Sequence, residues 1–137
     1  MTRRDGSALA AVALGGALGA PARMGVAQLL HVGPASFPWS TFWTNVTGSF
    51  ALGVVLALII ERFPPGRFLR PFVATGFLGA YTTYSTFAVE SVLLTRDGHL
   101  ALALAYVASS LLAGVVAVWA GIWAGRRVPL RPVGAGP

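Results

Sequence analysis

"GFLGAYTTYSTFAVE", residues 76 to 90, opens like the middle of a membrane helix and then departs from that pattern. Gly76 and Gly79 are followed by seven consecutive residues, Tyr81 to Phe87, each hydroxylated or aromatic, and the carboxylate of Glu90 comes three residues later. Hydrogen-bonding groups at this density are costly in hydrocarbon unless each finds a partner. A segment that carries them through a bilayer is built to do more than cross it.

Composition places the segment in a bilayer. The chain has 137 residues, enough for one domain, of which 55% are hydrophobic and 10% charged, with a mean hydropathy of +0.72. Those values lie outside the range of soluble domains. A spanning helix needs about 20 mostly apolar residues to cross about 30 Å of hydrocarbon. Ser7–Leu30, Trp39–Ile60, Leu69–Leu94 and His99–Ala124 meet that length, separated by "HVGPASFP", "ERFPPGR" and "TRDGH". Trp39 and Trp43 on span 2, and Trp119 and Trp123 on span 4, fit interfacial belts. The sequence thus reads as an all-α integral membrane protein, a single four-helix transmembrane domain over 1–127. Residues 128–137, rich in Pro and Gly, are expected to form a disordered tail. A signal peptide ending at "APA", 20–22, is the competing reading of the N-terminus, but the apolar pattern resumes after Arg23 and spans instead.

The formal charge of +6 comes from ten arginines and no lysine, and most flank apolar segments rather than forming one stripe. Too little soluble surface remains for a nucleic-acid footprint, so no nucleic acid is expected as a partner. The absence of cysteine excludes thiol chemistry and disulfides. The two histidines, His31 and His99, stand at loop edges and offer no nucleophile–base pair, which argues against an enzyme. Both termini and the 2–3 loop share one side, with Arg3, Arg4, Arg62, Arg67, Arg70, Arg126, Arg127 and Arg131; the other side has Arg96. By the positive-inside rule the termini are expected in the cytoplasm.

Within the spans, polar groups are few and aligned. At 100° per residue Thr41, Asn45 and Gly48 share one face of span 2, with Thr44 beside them. Asn45 suits either an interhelical hydrogen bond or a permeant ligand. In span 4, Tyr106 and Ser110 share a face at i, i+4. Arg23 lies two-thirds along span 1, where it either snorkels or draws anions inward. The GxxxG pairs Gly15/Gly19 and Gly121/Gly125 serve helix packing, within the chain or across a dimer seam. In span 3 the glycines and contiguous hydroxyls suit a helix that breaks, freeing carbonyls as ligands for a hard cation such as sodium. Past the break Tyr84 and Phe87, at i, i+3, face nearly the same way, and the positive edges of their rings can hold a small anion.

Together "GGALGAPAR", "STFWTNVTGSFALG", "GFLGAYTTYSTFAVE" and "YVASSLLAG" resemble the small fluoride channels called Fluc or CrcB, in the order and chain length of that family. The resemblance implies an antiparallel dimer of four-helix subunits in the cell membrane, with the third helix broken mid-membrane, two narrow pores and a central structural sodium ion. Asn45 would meet the permeating fluoride, Tyr84 and Phe87 would occupy the aromatic-box positions, and Ser110 with Thr41 would extend a polar track. Gly79 and Thr82 would offer carbonyls to sodium, and Glu90 and Tyr106 would sit near one pore mouth. The sequence departs from the family pattern at Tyr84, where phenylalanine is usual, and at Gly114, where a second serine is expected. The alternative is a small four-helix proton-coupled multidrug-type exporter, whose first span should carry a glutamate; this one carries Arg23. The arginine bias adds that the dimer partner is either a homologous subunit of opposite orientation or a second copy of the chain.

Overall fold

The computed structural model describes residues 3–30, 33, 35–61 and 68–128. Among them the chain is all helical. Helix α1 runs Arg3–Leu29, α2 Trp39–Glu61, and α5 Leu100–Arg127, with α3 (Gly79–Tyr81) and α4 (Tyr84–Arg96) between them. Three helices are long and apolar enough to cross a membrane: Gly6–Leu29 within α1, Trp39–Ile59 within α2, and Leu100–Arg127. They match the expected spans 1, 2 and 4 to within a few residues. Of the expected tail, all but Val128 lies outside the described residues.

The third expected span is not one helix. Pro71–Leu78 is π-helical, α3 continues it for three residues, and then Thr82 (φ −76°, ψ 159°) and Thr83 (φ −147°, ψ 120°) are extended before α4 begins. Gly76 and Gly79, which look like the breakers in the sequence, are not where the helix ends. Gly79 keeps helical dihedrals (φ −64°, ψ −33°). Gly76 is instead a packing residue, its α-carbon 3.0 Å from where a Cβ on Gly15 would stand.

Small residues decide how the helices meet. A Cβ on Gly15 would overlap the Phe72 carbonyl and one on Gly19 the Phe77 carbonyl, so α1 lies backbone to backbone on the π-helical segment. A Cβ on Gly121 would overlap the Phe50 carbonyl, one on Gly53 the Val118 carbonyl, and one on Gly125 would stand 2.8 Å from Ala57. Both GxxxG pairs are therefore consumed by packing inside the chain. Higher-numbered residues of α2 meet higher-numbered residues of α5, so these two helices run parallel.

That parallel register aligns three pairs of positions: 41 with 106, 45 with 110 and 49 with 114, each differing by 65. Within each helix successive members are one turn apart, about 6 Å along the axis. The polar residues of the sequence reading sit on this ladder.

Candidate functional site: a polar ladder beside the interrupted helix

The first rung is closed by a carboxylate. Thr41 Oγ1 donates to Glu90 Oε1 (2.9 Å) and the Tyr106 hydroxyl donates to Glu90 Oε2 (2.8 Å). Tyr106 is fully buried, its ring packed edge-on against Phe37 (centroids 5.3 Å) and tilted against Phe87 (5.2 Å). Three residues expected in the pathway are thus brought together and satisfy one another, Glu90 arriving from α4.

The second rung explains why the third span is interrupted. Asn45 Nδ2 donates to the Thr83 carbonyl (3.0 Å), and the Thr83 N–H donates to Asn45 Oδ1 (2.9 Å). The side-chain amide takes the N–H that helical geometry would give to Gly79 and also bonds the carbonyl, which holds Thr83 extended. The Thr83 hydroxyl accepts from the Thr86 N–H (3.2 Å) and so caps the new helix α4. Thr82 N–H returns to Leu78 (3.0 Å), and with Thr83 N–H taken by Asn45 the Gly79 carbonyl loses its i+4 donor. Beyond this clamp Asn45 retains a second amide hydrogen.

Across the rung, Ser110 Oγ is buried with no hydrogen-bond partner among the described residues. An unpartnered buried hydroxyl is costly, and it demands a reason. Asn45 and Ser110 line one open groove of about 710 Å³, together with Gly79, Thr82, Thr83, Tyr84, Phe87, Ser49 and Gly114. Tyr84 and Phe87 stand with ring centroids 6.1 Å apart at 43°. Phe87 is partly buried, whereas Tyr84 is 81% exposed. Besides Tyr84, the exposed part of the groove's wall includes Leu111, Val115 and Trp119.

The groove gathers Asn45, Tyr84, Phe87, Ser110, Gly79 and Thr82, but not Thr41, Glu90 or Tyr106, which lie one rung beyond its end. Arg23 lies apart from it, half-buried on α1, with no hydrogen bond or ion pair among the described residues. Two residues escaped the sequence reading. Thr83, 7% exposed, is the anchor of Asn45 and the cap of α4; its signal was the threonine pair near the start of the hydroxyl run. Ser49 continues the stripe of Thr41 and Asn45 at i+4.

Residues 10–122 match the family described as CrcB-like protein, Camphor Resistance (CrcB). The chain is 44% identical over 126 residues to "Fluoride-specific ion channel FluC 1" of Streptomyces coelicolor, covering 92% of this chain and 82% of that one. It is 40% identical over 131 residues to "Fluoride-specific ion channel FluC 1" of Mycolicibacterium paratuberculosis, covering 96% and 99%. To "Fluoride-specific ion channel FluC" of Hydrogenovibrio crunogenus it is 41% identical over 120 residues, covering 87% and 91%. With the match extending from α1 into α5 and across the clamp of Asn45 on Thr83, the chain belongs to the CrcB-like protein family.

Proposed function

We propose that this chain is a subunit of a passive, fluoride-selective channel that releases fluoride from the cytoplasm through the cell membrane. It is a channel and not an enzyme. The observation that carries the reading is the second rung: an amide held by two hydrogen bonds with a hydrogen to spare, sharing one groove with two aromatic rings and with a buried hydroxyl that has no partner among the described residues. Moving a small anion out of water into a medium of low dielectric costs tens of kcal/mol by Born estimates, so a pore must replace the lost water with donors. Several weak donors serve better than one cation, because an ion bound too tightly does not leave. Asn45, Ser110 and the ring edges of Tyr84 and Phe87 are donors of that kind. Thr41, Glu90 and Tyr106 form the neighbouring end of the path, and Arg23 on α1 draws anions toward it.

The donor set at the interruption also fits a structural sodium ion. Gly79 has lost the amide that would bond its carbonyl, and Thr82 lies beyond the helix end, so both present backbone oxygens of the hard kind sodium takes. Bound there, sodium would supply positive charge and fix the interruption, which this reading places mid-membrane. Tyr84 and the apolar wall at Leu111, Val115 and Trp119 are exposed in the single chain. A second subunit in antiparallel orientation would cover them and leave one groove, hence one pore, on each subunit. The arginine bias favours a homologous subunit of opposite bias over a second copy of this chain.

Fluoride efflux from liposomes containing the purified protein, with its partner where one is required, is the test. Efflux down the gradient, read by a fluoride electrode, with chloride retained is the expected result. Dependence on a proton gradient, or chloride flux of similar size, would refute it.

A further inference from the structure

We infer that Ser49 is an ion-contacting residue of this pore, supplying from α2 the hydroxyl that position 114 of α5 lacks. The inference rests on the fluoride reading above and deepens it. On the ladder, the third rung pairs Ser49 with Gly114, and both line the groove that holds Asn45 and Ser110. The Ser49 hydroxyl stands 3.8 Å from where a Cβ on Gly114 would be, so the two positions address the same point from opposite walls. A side chain at 114 would fill the space in front of Ser49, and the glycine leaves it open.

The bonding of the other hydroxyls separates Ser49 from ordinary helix serines. Hydroxyls in apolar helices usually bond back to their own carbonyls. Thr47 does so to Trp43 (2.6 Å), Ser91 to Phe87 (2.7 Å), Thr95 to Ser91 (2.9 Å) and Ser109 to Tyr106 (3.2 Å). Ser49 and Ser110 make no hydrogen bond among the described residues, and both line the groove. One turn beyond them α2 and α5 come into backbone contact, Gly53 against Val118 and Gly121 against Phe50. The third rung therefore carries the last hydroxyl of the groove, whose lining beyond it on these two helices is Leu52, Val118, Trp119 and Ile122.

Fluoride efflux is compared for wild type, Ser49→Ala, Gly114→Ser and the double variant in the same liposomes, with thermal midpoints recorded in detergent. Losing one hydrogen bond to an ion should lower flux about tenfold or more in Ser49→Ala, at an unchanged midpoint. Gly114→Ser in the Ser49→Ala background should restore flux, since the hydroxyl returns to the same point from the other wall. Flux in Ser49→Ala equal to wild type, or a double variant no better than Ser49→Ala, overturns the role of Ser49. Wild-type protein that carries no fluoride overturns the fluoride reading first, and this inference with it. Should Ser49→Ala fail to assemble, Ser49→Gly, which likewise removes the hydroxyl, takes its place under the same two outcomes.

Discussion

Asn45→Ala tests whether one side chain creates the interruption on which the site depends. The substitution removes both bonds of the clamp, 3.0 Å to the Thr83 carbonyl and 2.9 Å from the Thr83 N–H. The carbonyl of a helix-capping residue keeps the first bond of the following helix, so its loss is small. The N–H has no such substitute, and Thr83 is 7% exposed, so water does not reach it freely. A buried donor stranded in this way costs about 1–3 kcal/mol, and the carbonyl adds about 0.6, the mean for an interhelical bond in a membrane. The clamped geometry should then lose about 1.6–3.6 kcal/mol, a fall of about fifteen- to four-hundredfold in its weight against alternatives. Because Thr83 caps α4, which carries Tyr84 and Phe87, thermal midpoint and fluoride flux should fall together. The assay is paired: unfolding followed in detergent, and efflux from liposomes with the same preparation. A wild-type midpoint in Asn45→Ala would refute the clamp, and flux lost at that midpoint would leave Asn45 acting on the ion alone.

Further outcomes follow from the same geometry. Gly121→Ala drives a Cβ into the Phe50 carbonyl and should cost about 1–3 kcal/mol of stability, whereas Gly25→Ala, with nothing within 4 Å, should leave the thermal midpoint unchanged or raise it. Tyr106→Phe keeps the ring between Phe37 and Phe87 but deletes the 2.8 Å bond to Glu90, a loss of about 1.5–3 kcal/mol; Tyr106→Ala also empties the site and should cost about 3–5 kcal/mol, both read by denaturation. Tyr84→Phe removes a hydroxyl that has no partner among the described residues and keeps the ring edge, so flux should stay within about twofold of wild type, while Tyr84→Leu should lower it. Single cysteines in the 1–2 and 2–3 loops, labelled with an impermeant reagent on cells expressing this chain alone, should react only in the 1–2 loop; equal labelling would mean dual topology and self-pairing.

The spans were readable because hydropathy, loop signals and tryptophan positions are local properties, and α1, α2 and α5 depart from them by only a few residues at their ends. The pairing of α1 with the π-helical segment, and of α2 with α5, was not readable from the GxxxG motifs. Gly15 and Gly121 announce a close approach without naming the partner. The π-helical turn also escaped, although Pro71 at its start cannot donate a backbone hydrogen bond and Gly76 lies against α1.

The interruption itself is the sharper case. Local chemistry points at Gly76 and Gly79, since glycine is the weakest helix former present, yet both remain helical and the chain opens at two threonines. Threonine does not break a helix by itself, and Thr82 even bonds back to Leu78 (2.9 Å) as an ordinary helical residue would. What differs at Thr83 is a competitor from 38 residues earlier in the chain: the amide of Asn45 offers a donor and an acceptor to the carbonyl and N–H of the same residue. The packing of α2 brings that amide to it, and Gly48, one turn further on, lets Tyr81 and Thr82 approach closely, a Cβ there standing 3.2 Å from the Tyr81 ring. The stripe Thr41, Asn45, Gly48 lies on one face of α2, toward the third span, but its members act differently. Thr41 holds a carboxylate, Asn45 opens a helix, and Gly48 supplies the clearance that lets the opening occur. Only when these are in place do the unpartnered hydroxyl of Ser110 and the rings of Tyr84 and Phe87 come to share one groove.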